Sequence, residues 1–245
     1  VPKTRLDQLV VDHGLAPSRT RAQALILAGA VLVEGTRVDK AGTLVSDAAT
    51  VTLRGEPMPY VSRGGVKLAG ALDAFAVDPH GRRCLDVGAS TGGFTDCLLQ
   101  RGAAAVLAVD VGYGQLAHKL RQDARVVVLE RTNARTLTPE VLGGVVDLTV
   151  VDASFIGLEK LVHAIRDCTR SGGELVALIK PQFEVGREEA SRTKGVIRDE
   201  AVRDAAIRGA LGYVADAGFE VLAHADCVIA GPKGNREAFV HARRA

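Results

Sequence analysis

The sequence predicts an α/β fold, a doubly wound and mostly parallel sheet preceded by a small α+β module, and three observations carry that expectation. From Lys67 onward, apolar strand-like runs alternate with helical ones, the pattern of a parallel sheet covered by helices on both faces. Within it, CLDVGASTGGFTDCLLQRGAAAVLAVD at 84–110 passes from a strand through a glycine cluster into a helix, then into a second strand ending in Asp110. Ahead of it, RGEPMPY places two prolines around Met58; proline removes a backbone donor and restricts the residue before it, so this stretch reads as a connector.

The elements follow in order. Residues 4–53 combine a helical pattern (Leu6, Leu9, Val10, then Ala22, Leu25, Ile26) with the short β-rich runs VLVEG, TLV and ATVTL, which makes a compact α+β module. The expected division is a first domain at 1–56, a linker at 57–62 and a second domain at 63–245. In the second domain RCLDVGA, AVLAVDVG, ARVVVLE, VDLTVVDAS, GELVALIKP and EVLAHADCVI read as strands. TDCLLQRG, GLEKLVHAIRDCT and AVRDAAIRGALGYVADAGF read as helices.

Composition narrows the function classes. The 245 residues are 47% hydrophobic and 24% charged, an ordinary globular balance for one or two domains. A net charge of +2 and a pI near 8.4 give no chain-wide basic field, so a nucleic-acid partner has to be argued locally. Cys84, Cys97, Cys168 and Cys227 stand singly and read as reduced core residues, with no metal site expected. The longest apolar runs are far shorter than the roughly 20 residues of a membrane helix, so no membrane association and a cytoplasmic location are the expectations.

The glycine turn carries the strongest local signal. In an open α/β sheet, ligands bind outside the carboxyl ends of the strands, where glycines admit a close backbone approach. Asp86, Gly88, Gly92 and Gly93 give D-x-G-x-x-x-G-G, not the G-x-G-x-x-G of a dinucleotide fold. Asp110 closes the next strand where a carboxylate can accept both hydroxyls of a ribose. Together they point to an adenosine-containing cofactor. Asn133 in ERTNAR reads equally as a contact to an adenine edge and as an Asn-assisted turn.

DVGASTGGFTD, DVGYGQLAHKLR, LERTNAR, VVDASFI, IKPQFEVG and GPKGNREAF together resemble the TlyA family, once called haemolysins. The resemblance implies a Rossmann-like, FtsJ-like class I methyltransferase that uses S-adenosylmethionine to methylate ribose 2′-hydroxyls of ribosomal RNA. RLDQLVVDHGLAPSRTRAQALILAGAVLVEGTRV resembles the small RNA-binding domain first described in ribosomal protein S-four. The cofactor is then expected at Asp86, Gly88, Ala89, Ser90, Gly92, Gly93, Phe94, Thr95, Asp110, Val111, Asn133 and Asp152. In that family shorter chains act on a cytidine of large-subunit RNA, so large-subunit RNA is the expected acceptor, and a monomer is the expected state.

Methyl transfer from a sulfonium to a hydroxyl is an in-line displacement, so alignment and management of the hydroxyl proton dominate. Lys67, Asp152, Lys180 and Glu237 lie where a doubly wound sheet gathers its strand ends, and they match the family's K-D-K-E quartet position by position. The resemblance makes Lys180 the residue that positions the hydroxyl, has Asp152 and Lys67 orient it, and has Glu237 hold the target ribose or Lys67. Each also has a plain reading as a solvated lysine, a strand-end cap or a turn charge.

Residues 1–58 hold seven basic and six acidic side chains, so distribution matters more than total. Arg5 is expected in the first helix, and Arg19 and Arg21 at the start of the second, on one face against phosphates. Arg63 in the connector and Phe155, which would stack on a base, complete the expected RNA contacts; Phe183 shares the stacking reading with Phe155. A nicotinamide oxidoreductase is disfavoured by the missing G-x-G-x-x-G. A non-catalytic RNA-binding or ribosome-assembly protein with a vestigial pocket is the alternative.

Overall fold

The computed structural model describes residues 2–54, 58–185, 193, 195–231 and 234–245. Residues 55–57 of the expected linker, Gly186 of IKPQFEVG, and Pro232 and Lys233 of GPKGNREAF lie outside the described residues. The chain forms two compact units, 1–58 and 59–245.

In the first unit β1 (Lys3–Arg5) leads directly into α1 (Leu6–Asp12), followed by α2 (Arg19–Leu27), β2 (Val31–Val33), β3 (Thr36–Arg37), β4 (Leu44–Ser46) and β5 (Val51–Leu53). β1 pairs antiparallel with β4, and β2 lies antiparallel between β3 and β5. Leu6, Leu9 and Val10 of α1 and Ala22 and Ile26 of α2 meet Val31, Val45 and Val51 in one core. Ser18 caps α2, its hydroxyl accepting from the Arg21 N–H at 3.3 Å, which satisfies a donor left open in the first turn.

Arg5 differs from the expectation. It ends β1 in extended conformation and caps α1 instead of lying within it, because the strand's pairing with Leu44 holds its backbone. Arg5 and Arg19 nevertheless come together: Asp7, fully buried, accepts from Arg5 at 2.9 and 3.1 Å, from Arg19 at 3.0 Å and from Gln23 at 2.8 Å. Arg21 is exposed but makes no contact with Asp7, because residues two apart on a helix do not share a face.

The second unit contains α3 (Arg63–Phe75), β6 (Arg83–Val87), α4 (Gly93–Gln100), β7 (Ala105–Val109), α5 (His118–Arg121), β8 (Val126–Leu129), α6 (Pro139–Leu142), β9 (Val146–Val151), α7 (Val162–Cys168), β10 (Thr169–Ile179), α8 (Pro181–Glu184), α9 (Glu200–Asp216), β11 (Phe219–Asp226) and β12 (Ala238–Arg244). They build a seven-stranded sheet in the order β11-β12-β10-β9-β6-β7-β8. The five strands from β10 to β8 are parallel, and β12 runs antiparallel to both β10 and β11. AFVHARR did not stand out as a strand in the sequence, yet it fills the slot between β10 and β11.

Alternation along the strands divides the core into two layers. Leu85, Val87, Leu107 and Val109 face α7 and α9, whereas Cys84, Val106 and Ala108 face α3 and α4. α3 presents Leu68, Ala71 and Leu72 to the sheet, the i, i+3, i+4 stripe of an amphipathic helix. Val61, ahead of α3, donates its N–H to Asp96 Oδ2 at 2.8 Å, tying the entry of this unit to α4.

Its hydrogen bonds, that from Arg5 first, hold the Asp7 carboxyl well below the usual carboxylate range. The folded state therefore keeps Asp7 ionised where the unfolded chain takes up a proton, so its stabilisation is full above about pH 4 and fades as pH falls further. Asp7→Asn is expected to destabilise the first unit by about 1–2 kcal/mol at neutral pH; urea unfolding at pH 7 and pH 3 checks it, the difference from wild type shrinking at the lower pH.

Candidate active site

β6 delivers Val87 to the carboxyl edge of the sheet, and the chain turns there at Gly88 with φ +86°. A Cβ at this position would lie 2.8 Å from the Asp152 carbonyl oxygen at the end of β9, so glycine is required both for the turn and for the approach. Gly92 (φ +95°) opens α4, and a Cβ there would meet Leu120 at 2.3 Å. Asp110, just beyond β7, fixes the turn from the other side: Oδ2 accepts from the Ser90 N–H at 2.8 Å and Oδ1 from the Gly112 N–H at 2.7 Å. Each oxygen retains acceptor capacity beyond these bonds.

Two cavities flank this turn. One, of about 540 Å³, is lined by Gly88, Ser90, Asp110, Val111, Asn133 and Phe155 among others, a volume suited to a small cofactor. The other, of about 470 Å³, is lined by Arg63, Lys67, Ala89, Gly93, Phe94 and Lys180 among others. Gly88, Ser90, Asp152 and Ser154 belong to both. The starts of α3 and α4 meet at the second cavity, where a Cβ on Gly93 would lie 2.9 Å from the Gly65 nitrogen, an approach that glycine on both helices permits.

The four candidate catalytic residues form two ion pairs at this edge. Lys180, directly after β10, lies 2.5 Å from Asp152 Oδ1 and donates to the Ser154 hydroxyl at 2.8 Å. Lys67, on α3, donates to Glu237 Oε2 at 2.5 Å. Both lysines and Glu237 are buried. The reversed direction of β12 explains how Glu237 arrives: Ala238 pairs with Ile179, so the residue before β12 stands at the same rim as the residue after β10.

Other expected residues are placed differently. Asp86, Gly92 and Thr95 line neither cavity. Thr95 instead donates its hydroxyl to the fully buried Asp86 at 2.6 Å, and burial pushes that carboxyl up to about 7. Phe94 stacks on Phe239 with centroids 6.1 Å apart while reaching the second cavity. Asn133 faces the first cavity, and its Oδ1 accepts from the Arg135 N–H at 3.0 Å, so the turn reading holds for its oxygen. Arg63 donates to the Ala230 carbonyl at 3.2 Å. Phe155 is 91% exposed with φ +65°, its ring 5.3 Å from that of Phe183. Ser154 and Gln115, whose Oε1 accepts from Ser90 Oγ at 3.2 Å, were missed. Among the described residues no three His, Cys, Asp or Glu side chains group as metal ligands, and no helix is long and apolar enough to cross a membrane.

A family model described as FtsJ-like methyltransferase matches residues 60–244, and one described as S4 domain matches residues 4–51. Over 242 residues the chain is 48% identical to the 16S/23S rRNA (cytidine-2′-O)-methyltransferase TlyA of Mycobacterium tuberculosis, spanning 98% of this chain and 90% of that protein. The chain belongs to the TlyA family. The TlyA-family sequence signature thus covers both units. A solved hemolysin-named structure from Streptococcus thermophilus is 39% identical, with a TM-score of 0.78 over 100% of this chain and 89% of that one. An S-adenosylmethionine-dependent methyltransferase from Mesorhizobium loti, 16% identical with a TM-score of 0.53 over 71% of this chain and 96% of that one, shares the fold.

Asp110→Ala is expected to weaken S-adenosylmethionine binding about tenfold or more, the loss of charge-assisted hydrogen bonds, as read by calorimetry. Asp86 supplies a second test. Between about pH 4 and 7 the folded state holds a proton that the unfolded chain has lost, so stability falls as pH rises through that window. Glu184, also pushed up to about 7 by burial, acts in the same direction. Asp86→Asn is expected to flatten this slope and to stabilise the second unit at pH 8 by at least about 1 kcal/mol; denaturant unfolding at pH 5 and pH 8 checks it.

Proposed function

We propose that the protein transfers a methyl group from S-adenosylmethionine to the ribose 2′-hydroxyl of a cytidine in ribosomal RNA. The observation that carries this reading is the pairing of Lys180, in the second cavity, with Asp152, which lines both cavities: one cavity suits a nucleoside, and the other gathers both lysines around space for an acceptor.

The residues present fit the cofactor. The Gly88 turn gives it backbone to lie against, and Asp110 offers carboxylate lone pairs to a ribose diol. The starts of α3 and α4 line the second cavity, and the positive end of a helix dipole favours a carboxylate. S-adenosylmethionine bound there supplies an electrophilic methyl on a sulfonium. The protein's own contribution is alignment. Lys180, anchored by Asp152 and Ser154, donates to the attacking oxygen and stabilises its developing negative charge. Asp152, the carboxylate nearest that ammonium, is placed to receive the hydroxyl proton. Lys67, held by Glu237, lines the second cavity and orients the ribose.

RNA is the partner on this reading. Arg5 and Arg19, fastened by Asp7, and the exposed Arg21 would meet phosphates, Arg63 would do so at the cavity mouth, and Phe155 would stack on the target base once it leaves its helix. A cytoplasmic protein acting as a monomer on ribosomal subunits is consistent with this chemistry. The Mycobacterium relative is named for both 16S and 23S RNA, so both subunits are acceptors to try, with the large subunit the expected one.

The test is transfer of labelled methyl from S-adenosylmethionine to isolated large and small ribosomal subunits, wild type beside Lys180→Ala. The expected result is label on the large subunit at a ribose 2′-oxygen, reduced about 10²-fold or more in the variant. A protein that binds the cofactor yet labels neither subunit would overturn the reading and leave the RNA-binding alternative.

A further inference from the structure

Glu237 precedes β12 instead of belonging to it, so its side chain is aimed by a turn. Residues 235–237 are held from three directions. Asn235, 3% exposed, spends both ends of its amide on one neighbouring segment: the Ile197 N–H donates to Oδ1 at 3.0 Å, and Nδ2 donates to the Gly195 carbonyl at 2.9 Å. Arg203 of α9, 6% exposed, donates from Nε to the Arg236 carbonyl at 3.0 Å and from its outer nitrogen to Asp226 at the end of β11. The Cys227 N–H donates to the Glu237 carbonyl at 2.9 Å. A buried guanidinium is costly unless its donors are satisfied, and here they are spent on the backbone one residue before Glu237 and on the strand beside it. Neither Arg203 nor Asn235 lines either cavity.

We propose that Arg203 and Asn235 are positioning residues for methyl transfer, fixing the 235–237 turn so that the Glu237 carboxylate meets Lys67. The assignment of a role in transfer rests on the function proposed above; the aiming of Glu237 does not. Lys67 belongs to α3, 170 residues earlier in the chain, and depends for its partner on a residue one step outside β12. Small misplacements of such a group are amplified in rate, so the two clamps act on turnover without touching either substrate.

The experiment compares the full-length protein with Arg203→Lys, which keeps the charge and loses the two-armed grip, and with Asn235→Ala. Lysine acylation by acetic anhydride, followed residue by residue by mass spectrometry, reads the aim directly. Lys67 should react about five- to tenfold faster in both variants through local opening of the turn, while Lys180 in the other pair stays within about twofold. In the methylation assay kcat should fall about tenfold with KM for S-adenosylmethionine within about twofold, and neither substitution should cost more activity in a Glu237→Gln background, since effects routed through one residue do not add. Unchanged Lys67 acylation, equal acceleration at Lys180, or losses that add to Glu237→Gln would each overturn the proposal. A wild type that transfers no methyl to RNA refutes the proposed function instead, and the acylation pattern still decides whether Arg203 and Asn235 aim Glu237.

Discussion

A Cβ on Gly88 would sit 2.8 Å from the Asp152 carbonyl oxygen, and this one forbidden atom sets the geometry of the edge where the chemistry is placed. Because the carboxyl ends of β6 and β9 close on each other at that point, the glycine turn and Asp152 become parts of a single wall. Asp110 reinforces it by accepting from Ser90 within the turn. A ligand lying against the turn is thereby brought beside the carboxylate that pairs with Lys180. The nucleoside-sized and lysine-lined cavities are neighbours for this reason, and four residues line both.

Placing charge at this edge is energetically unfavourable in itself, and the fold shows how it is accommodated. Lys67 and Lys180 are each less than a tenth exposed, and desolvation of an ammonium costs several kcal/mol unless it is paired and hydrogen-bonded. Each has its own carboxylate, Asp152 just after β9 and Glu237 just before β12. Asp86 accepts from the Thr95 hydroxyl, faces no cation of its own in that bond, and sits where burial favours its protonated form. Removing one partner of either lysine would leave an unmatched buried charge, so the pairs constrain one another's loss more than they add net stability.

The sequence made the parallel core legible because β6, β7 and β9 are short apolar runs bounded by turn residues, and a doubly wound sheet sends their ends to one rim. That logic placed Asp86, Asp110, Asp152 and Lys180 near one another before any coordinates. It did not reveal β12, whose AFVHARR carries three basic residues and whose antiparallel place between β10 and β11 is decided by pairing with strands remote in sequence. Glu237, in the GNRE turn, was legible as a strand-end charge and through the family's quartet, but the strand that follows it was not. The roles of Ser154, Asn235 and Arg203 were illegible for the same cause: each acts through a partner that tertiary folding supplies, from 26 residues away for Ser154 to 40 for Asn235. Arg5 was misplaced because the apolar period of α1 begins immediately after it, and only the pairing of β1 with β4 shows that the residue still belongs to a strand.

Phe155 stands against every stabilising trend in the molecule. Its backbone is in the left-handed region, which for a bulky residue costs of order 1–3 kcal/mol, and its ring is 91% exposed. Folding gains little from either feature, so their persistence calls for a compensating role, and exposed strained residues concentrate where ligands are gripped. Position supplies one. Phe155 follows Asp152 by three residues and Phe183 follows Lys180 by three, so their ring contact links the loop leaving β9 to α8 after β10. The Lys180–Asp152 pair joins the same two strand ends from beneath. An acceptor base stacked on Phe155 would therefore be referenced to the two strands that hold the residues acting on its ribose, and the aromatic pair and the ion pair would register base and hydroxyl as one unit.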